Sequence, residues 1–421
     1  MRVPDGYTAP PSHVLRLRKS LYGLKQAPLC WYNEAVTLFE SLGYKTGISD
    51  KCIFYKVCIM VNDDGLEEHH ILILSIYVDD LLAWYPPLLK DQWYADKKSI
   101  INRFQIKDLG TVSWILNMRV TRDRANRTIT LSQQVYVDKV LERFGMTDCK
   151  IVATPSGQTK PTEAELKGDY VLDAKDKNYY QQMVGSLMYA STTTRVDISY
   201  AVQQLSQAMS SPHAYHITRA KRVMRYLKGT RLLSLVFGGV AAKARPVLYG
   251  YSDSDWAGDC DCKSISGNLL FCMGSLIGWM SRKQSTISQS SCEAEYAALA
   301  SLCNNTQWAR NVLQEVFGLD IESIPLFTDS KAAIGLAGNQ GVSARTKHVA
   351  VRMHVVREMV KSNVVKLVYV PTEQNLADVL TKSLSVDLFK FFASSLLVET
   401  AEDDSKIASV RYTGPGAHVS K

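Results

Sequence analysis

The sequence of 421 residues has no long hydrophobic run. Its densest apolar stretch, residues 71–84, contains two adjacent aspartates and is shorter than the about 18 apolar residues that span a bilayer. Residues 1–6 lack the apolar core of a signal peptide. We therefore expect no membrane partner and an intracellular location, in the cytoplasm or the nucleus.

Paired cysteines are also missing. The chain contains 9 cysteines, an odd number, and their spacings show no repeated pairs. Cys260 and Cys262 form a lone CxC motif without the second pair that a structural zinc site needs. This distribution argues against a disulfide framework and favours free thiols in a reducing compartment.

Positive charge is only mildly in excess. The formal net charge of +8 permits a phosphate-rich partner without requiring one. Basic clusters occur at residues 16–19, 221–225 and 345–348. Each cluster alone is typical of a solvated helix face.

The length favours two or three domains, and the hydrophobic pattern changes along the chain. Residues 1–155 alternate helical and strand patterns, residues 154–177 have a linker composition, and residues 179–227 are mostly helical. A second, weaker joint is predicted at residues 231–246. From residue 247 the pattern predicts the order βββαβααβα, followed after about residue 401 by a polar tail that we expect to be disordered.

Four carboxylates fall at matching places in this last region. Asp253 and Asp329 end predicted strands, Glu295 lies in the first turns of a long helix, and Asp378 opens the last predicted helix. Because strand ends and helix starts meet at one edge of a sheet, these side chains can converge. Any one of them alone is as readily explained as a helix cap or a turn residue.

Converging carboxylates repel one another unless cations neutralise them. Hard oxygen ligands select Mg²⁺ or Mn²⁺, and two such ions about 4 Å apart can activate a water for phosphodiester hydrolysis. The sequence therefore predicts a two-ion site at this edge of the sheet.

The segments around the four carboxylates carry a family resemblance. They are YSDSDWAGD (251–259), SSCEAEYAAL (290–299), FTDSKAAI (327–334), RTKH (345–348) and YVPTEQNLADVLTKSL (369–384). Together they resemble the ribonuclease H of copia-type retrotransposons. The resemblance implies that Asp253, Glu295, Asp329 and Asp378 are catalytic metal ligands for two Mg²⁺ or Mn²⁺ ions, with Glu295 rather than Glu293 as the motif's glutamate.

The same resemblance implies an RNA–DNA hybrid as substrate, with Arg345, Lys347 and His348 contacting nucleic acid. Two departures from the family pattern are present. No histidine lies between Val364 and Asp378, and Ala350 stands where the family commonly has an aspartate. Neither departure removes a metal ligand, but both are expected to slow turnover.

A second acidic motif lies in the N-terminal region. Asp79 and Asp80 follow a buried strand pattern and precede another, which predicts a hairpin with an acidic tip. Its neighbours LYGLKQAP (21–28), FQIKDLG (104–110) and LSQ (131–133) resemble the reverse transcriptases of copia-type elements. The resemblance implies that Asp79 and Asp80 are catalytic metal ligands and that Lys25 and Gln26 contact the nucleic acid.

The expected fold is therefore α+β or α/β and multidomain. We predict a partial palm–thumb polymerase at residues 1–155, a linker and helical connection region at 156–246, an RNase H-like mixed β-sheet with helices on both faces at 247–390, and a tail at 391–421. RNA template, DNA and RNA–DNA hybrid are the implied partners. Capsid and integrase proteins of such an element are implied only as partners within a virus-like particle.

A polymerase of this family needs a third carboxylate on an earlier palm strand, and the residues before the LYGLKQAP motif leave no room for that strand. We therefore expect that this polypeptide alone does not polymerise DNA. Three hypotheses remain open: a ribonuclease attached to a partial polymerase, a non-catalytic nucleic-acid-binding relic, and an unstable fragment with exposed apolar sheet edges. The last predicts that a piece from about residue 240 behaves better than the whole chain.

Overall fold

The computed structural model describes residues 10, 16–21, 23–62, 64–157, 172–239, 245–258, 261–338 and 350–400, with the backbone alone for 350–353. The C-terminal tail from residue 401 and most of the predicted linker, residues 158–171, lie outside the described residues. Within them, no helix has the length and apolar character to cross a membrane. The eight cysteines in these ranges carry free thiols, and Cys260 lies outside them.

The described part of the chain is a mixed α+β structure. The helices are α1 (Ala27–Ser41), α2 (Lys90–Phe104), α3 (Gln134–Arg143), α4 (Ala174–Thr193), α5 (Ser199–Ser206), α6 (Ala214–Gly229), α7 (Ser291–Phe317), α8 (Lys331–Gly338), α9 (Ala350–Lys361) and α10 (Val386–Leu396). The strands are β1 (Lys45–Thr46), β2 (Ile53–Val61), β3 (Glu67–Tyr77), β4 (Asp80–Trp84), β5 (Trp114–Ile115), β6 (Met118–Asp123), β7 (Thr128–Ser132), β8 (Leu233–Gly238), β9 (Leu248–Asp255), β10 (Ile265–Cys272), β11 (Ser275–Lys283), β12 (Ile324–Thr328), β13 (Val365–Tyr369) and β14 (Val398–Glu399).

The chain divides into two compact units. The first comprises Met1–Val112, Ala300–Pro325 and His354–Lys366, and the second comprises Ser113–Leu299, Leu326–Met353 and Leu367–Lys421. The four-part division expected from the sequence stays a prediction.

The first unit contains an antiparallel sheet in the order β1-β2-β3-β4. Alternate residues of β3 are buried against α1 and α2, because successive side chains of a strand point to opposite faces. The predicted hairpin with an acidic tip is present: Tyr77 pairs with Asp80, and Val78 adopts a left-handed φ of 55° in the turn. Helix α2 follows the hairpin after a short 3₁₀ turn at Pro87–Leu89.

The second unit contains a five-stranded antiparallel sheet in the order β14-β8-β7-β6-β5. A joint was predicted at residues 231–246, and this prediction is wrong where the chain forms strand β8. Strand β8 pairs with β7 through Leu131↔Leu235 and Ile129↔Phe237. The physical reason is that burial of Leu235 in the core and pairing with β7 hold this stretch in an extended conformation. The predicted helical stretch that precedes it is present as α4, α5 and α6.

The third sheet has the strand order β11-β10-β9-β12-β13, with β9 to β11 antiparallel and β12 parallel to β9. Helix α7 begins at Ser291, where Ser290 Oγ accepts a hydrogen bond of 3.2 Å from the backbone N–H of Glu293, as an N-cap does. The predicted order βββαβααβα is confirmed except at one place. The last helix was expected to open at Asp378, but short 3₁₀ turns at Thr372–Gln374 and Leu376–Leu380 precede α10, which begins at Val386.

Candidate metal centre

Three of the predicted carboxylates come together in the second unit. Asp253 lies near the end of the central strand β9, Glu295 is the fifth residue of α7, and Asp329 directly follows β12. One ligand oxygen from each lies within 4.8 Å of the others. The parallel pairing of β12 with β9 explains this convergence, because it brings the C-terminal ends of both strands to one edge of the sheet.

Neighbouring groups hold each carboxylate. The backbone N–H of Ser254 donates to Glu295 Oε1 at 3.2 Å, and Thr381 Oγ1 donates to Asp253 Oδ2. Thr372 Oγ1 donates to Asp329 Oδ2 at 2.7 Å. These bonds fix the orientation of the three side chains, but they leave Glu295 Oε2 without a hydrogen-bond partner.

The sequence predicted Asp378 at the start of an α-helix. Asp378 instead lies in the 3₁₀ turn Leu376–Leu380. The reason is that Asn375 accepts from the backbone N–H of Ala377 and donates to the carbonyl of Ser252 at 3.1 Å, which ties the turn to β9. The turn still brings the Asp378 carboxylate beside Asp253, and both are buried.

Gly267 on β10 permits this close approach of the turn. A Cβ at residue 267 would lie 2.7 Å from Thr381 Cγ2 and 2.8 Å from Leu380 Cβ. Both distances are shorter than van der Waals contact, so a larger residue would displace the turn. Gly267 therefore helps to position Asp378 although it carries no functional group.

A lysine lies inside the carboxylate cluster. Lys382 Nζ is 2.8 Å from Asp378 Oδ2 and 3.9 Å from Asp253 Oδ2. Burial alone lowers the pKa of Lys382, but the nearby carboxylates more than offset it, so the pKa of the ammonium is raised overall. The site thus contains a protonated amine as well as its acids.

Burial dominates the electrostatics of the carboxylates. Burial, followed by repulsion from Asp253 and Asp329, raises the pKa of Glu295 to about 9. Burial, followed by repulsion from Asp253, raises the pKa of Asp378 to about 8 despite its pairing with Lys382. Burial also raises the pKa of Asp253, although Lys382 and Thr381 oppose the shift. Such shifts show that negative charge is costly here without an added cation.

The donor set fits a divalent cation. Two buried carboxylate oxygens, Glu295 Oε2 and Asp378 Oδ1, have no hydrogen-bond partner. A buried acceptor without a partner is unfavourable, and a metal ion can satisfy it. Carboxylate oxygens are the ligands of Mg²⁺ and Mn²⁺.

Sequence reasoning missed four residues that shape this site: Gly267, Asn375, Thr381 and Lys382. Thr381 and Lys382 follow Asp378 by three and four residues, a spacing that places side chains of one turn near each other. That spacing was a usable signal for the lysine. The hydrogen bond from Asn375 to Ser252 spans 123 residues and had no local signal.

The predicted polymerase residues lie in the first unit. Asp79 and Asp80 are exposed at the hairpin tip, where Trp31 Nε1 donates to the carbonyl of Val78 at 2.8 Å. Lys25 and Gln26 are exposed directly before α1. No group of three or more metal-ligating side chains among the described residues includes Asp79 or Asp80. Arg345, Lys347 and His348 lie outside the described residues.

Similarity to known proteins extends over most of the chain. A family model described as reverse transcriptase (RNA-dependent DNA polymerase) matches residues 1–158. The chain is 38% identical over 402 residues to the retrovirus-related Pol polyprotein from transposon TNT 1-94 of Nicotiana tabacum, covering 93% of this chain and 29% of that polyprotein. It is 31% identical to the putative transposon Ty5-1 protein YCL074W of Saccharomyces cerevisiae, covering 68% of this chain and 87% of that protein.

Part of the chain also aligns with a solved structure of LC11-RNase H1 in complex with an RNA/DNA hybrid. The identity is 18%, the alignment covers 32% of this chain and 93% of that one, and the TM-score of 0.25 is too low to support a conclusion. The chain spans 25% to 29% of the length of three plant Pol polyproteins that it matches. On the sequence relatives and the matching motifs, the chain belongs to the family of retrovirus-related Pol polyproteins of copia-type retrotransposons.

Proposed function

We propose that the second unit is a divalent-metal-dependent ribonuclease that cleaves the RNA strand of an RNA–DNA hybrid. The observation that carries the proposal is the convergence of Asp253, Glu295 and Asp329 within 4.8 Å, beside buried carboxylate oxygens that lack partners. The choice of hybrid as substrate comes from the family motifs. The net charge of +8 is compatible with a phosphate-rich partner.

Asp253, Glu295, Asp329 and Asp378 are the proposed ligands of two Mg²⁺ or Mn²⁺ ions. When bound, such ions supply an activated water and neutralise the leaving oxygen, so that hydrolysis leaves a 3′-hydroxyl and a 5′-phosphate. The protein's own contribution is orientation. Ser254, Thr372 and Thr381 hold three of the carboxylates in place through hydrogen bonds, so little rearrangement is needed at the reacting phosphate.

Nucleic-acid contacts outside the metal centre remain part of the proposal. Arg345, Lys347 and His348 are proposed to hold backbone phosphates of the hybrid. Lys25 and Gln26 are proposed to contact the RNA template or DNA. Capsid and integrase proteins are proposed partners only within a particle.

DNA polymerase activity is tested separately from the ribonuclease. Asp79 and Asp80 are the proposed metal ligands of the polymerase site. Extension of a DNA primer on an RNA template with deoxynucleotides and Mg²⁺ tests this assignment. Extension that disappears in Asp80→Asn would support it, and extension that is unchanged in that variant would contradict it.

A matched pair of variants on one helix tests the ribonuclease. Glu295 is buried at the site, whereas Glu293, two residues earlier, accepts a hydrogen bond from the backbone N–H of Gln289 outside it. With Mg²⁺ and a labelled hybrid, we expect Glu295→Gln to lower RNA cleavage by at least about 100-fold, more than the loss of an outer-shell partner does. Glu293→Gln is expected to keep most of the activity.

Equal activity of the two variants would contradict the assignment of Glu295. Absence of cutting by the folded wild-type chain, with either Mg²⁺ or Mn²⁺, would leave the second candidate, a nucleic-acid-binding protein without catalysis. The lack of a histidine between Val364 and Asp378 favours that candidate. Salt-dependent binding of hybrid without metal-dependent cleavage would identify it.

A further inference from the structure

Lys382 directs its ammonium at two of the proposed metal ligands, Asp253 and Asp378. Its side chain is 37% exposed, whereas those of Asp253 and Asp378 are 3% and 2% exposed. Within the described ranges, no other basic side chain is within ion-pair distance of either carboxylate. The ammonium is therefore the local countercharge of two almost fully buried acids.

The geometry separates the four carboxylates into two groups. Asp253, Glu295 and Asp329 form the group whose oxygens lie within 4.8 Å of one another, and Asp378 is not a member of that group. Asp378 instead pairs with Lys382 at 2.8 Å. Asp253 belongs to both groups, because its Oδ2 is also 3.9 Å from the Lys382 ammonium.

The backbone holds the lysine in this position. The N–H groups of Thr381 and Lys382 both donate to the carbonyl of Asp378, at 3.2 and 3.3 Å. Thr381 Oγ1 bonds to Asp253 on the side of the turn that faces β9. The turn that presents Asp378 thus also presents its countercharge, and the two cannot separate without a change of the Lys382 side chain.

We propose that Lys382 is a positioning residue that serves as the built-in counter-cation of Asp253 and Asp378, and that a divalent ion reaching Asp378 has to displace its ammonium. This inference rests on the proposed ribonuclease, whose ions would use the same carboxylates. Ammonium and metal ion then compete for the same oxygens. Because the two compete, removing the ammonium strengthens metal binding. It also leaves two buried carboxylates without their countercharge, which weakens the metal-free fold.

The test compares Lys382→Met with Lys390→Met in the full chain. Both variants remove one lysine charge, but Lys390 is exposed on α10 and makes no ion pair with another described residue. The probe is Mn²⁺ alone, titrated calorimetrically without nucleic acid, together with thermal unfolding in EDTA. We expect Lys382→Met to bind Mn²⁺ roughly tenfold more tightly than wild type and to unfold at a lower temperature in EDTA, with Lys390→Met unchanged.

Lys382→Arg gives an independent result if Lys382→Met does not fold. Because a guanidinium grips a carboxylate with two parallel hydrogen bonds, we expect several-fold weaker Mn²⁺ binding. If Lys382→Met and Lys382→Arg both bind Mn²⁺ with the affinity of wild type, the displacement of Lys382 is overturned and the proposed ribonuclease is not affected. Wild type that binds Mn²⁺ but does not cut hybrid overturns the ribonuclease, and the titrations then still decide the displacement. Wild type that binds no Mn²⁺ overturns both.

Discussion

Glu295 shows at the scale of one residue how burial changes the chemistry of a carboxylate. One of its oxygens accepts from the backbone of Ser254, and the other is buried without a partner. In the absence of metal, protonation is the least costly way to keep such a group buried. The raised pKa of about 9 is therefore a property of the metal-free protein.

The raised carboxyl pKa values predict a pH-dependent stability of the metal-free chain. For an acid whose folded-state pKa is raised, the stability present below the unfolded pKa is lost as pH rises through the folded value. With Glu295 at about 9 and Asp378 at about 8, the unfolding temperature in EDTA should fall by several degrees between about pH 5 and about pH 9.

Differential scanning fluorimetry across this pH range measures the effect. Glu295→Gln should show a shallower fall, because one of the titrating groups is gone. Addition of Mn²⁺ should flatten the wild-type curve as the carboxylates become ligands. A melting temperature that rises with pH in EDTA would contradict this electrostatic account.

At the scale of elements, the site depends on a turn that sits tightly against a strand. Gly267 on β10 leaves only enough space for the turn Leu376–Leu380 and for Thr381. Asn375 ties the same turn to Ser252 on β9. The positions of Asp378 and Lys382 therefore depend on a small residue from another part of the chain.

We predict that Gly267→Ala weakens both the fold and the site. The new Cβ would press on Thr381 and Leu380, and overpacking of this kind costs roughly 1–3 kcal/mol. Denaturant unfolding should show that loss, and Mn²⁺ affinity should fall with it. Gly278→Ala on β11 is the matched control, because its Cβ would lie 4.0 Å from Leu270 Cβ, an ordinary contact. Equal effects at both glycines would argue against the close approach as the cause.

The order of elements could be predicted from the sequence because each has a strong local signal. The capping serine Ser290 marks the start of α7, and the apolar runs before Asp253 and Asp329 mark their strands. Strand β8 could not be predicted, because its conformation is decided by pairing with β7 and β14. The turn around Asp378 resembles a helix start in sequence, whereas the distant Asn375–Ser252 bond that ties it to β9 has no local signal.

At the scale of the whole molecule, the helices before residue 230 and the third sheet share one hydrophobic core. Residues from both regions belong to the same buried cluster: Tyr180, Met183, Leu187, Val223, Leu227, Leu269, Phe271, Leu380, Phe389 and Phe392. Polar contacts reinforce it, since Trp279 Nε1 donates to the carbonyl of Ser191 at 2.7 Å. The predicted boundary near residue 246 therefore runs through a continuous core of the second unit.

This shared core determines where the protein chain can be truncated without loss of folding. The hypothesis of an unstable fragment predicts that a piece from about residue 240 is well behaved. The structure leads us to expect the opposite: such a piece loses the partners of Phe389, Leu380 and Phe271, each of which contributes on the order of 1.5–3 kcal/mol when buried. It should be insoluble, or unfold about 10 °C or more below the full chain.

A chain that starts at Ser113, the first residue of the second unit, is the control, because it keeps the α4–α6 helices and the strands β5 to β8. We expect it to remain soluble under conditions where the shorter piece aggregates, with thermal unfolding and size-exclusion chromatography as the measurements. A soluble piece from residue 240 that melts at the temperature of the full chain and cuts hybrid equally well would show that the helices are dispensable. If the piece fails as expected, the helical region is part of the folding unit that holds the candidate metal centre, since the turn bearing Asp378 is continuous with that core through Leu380.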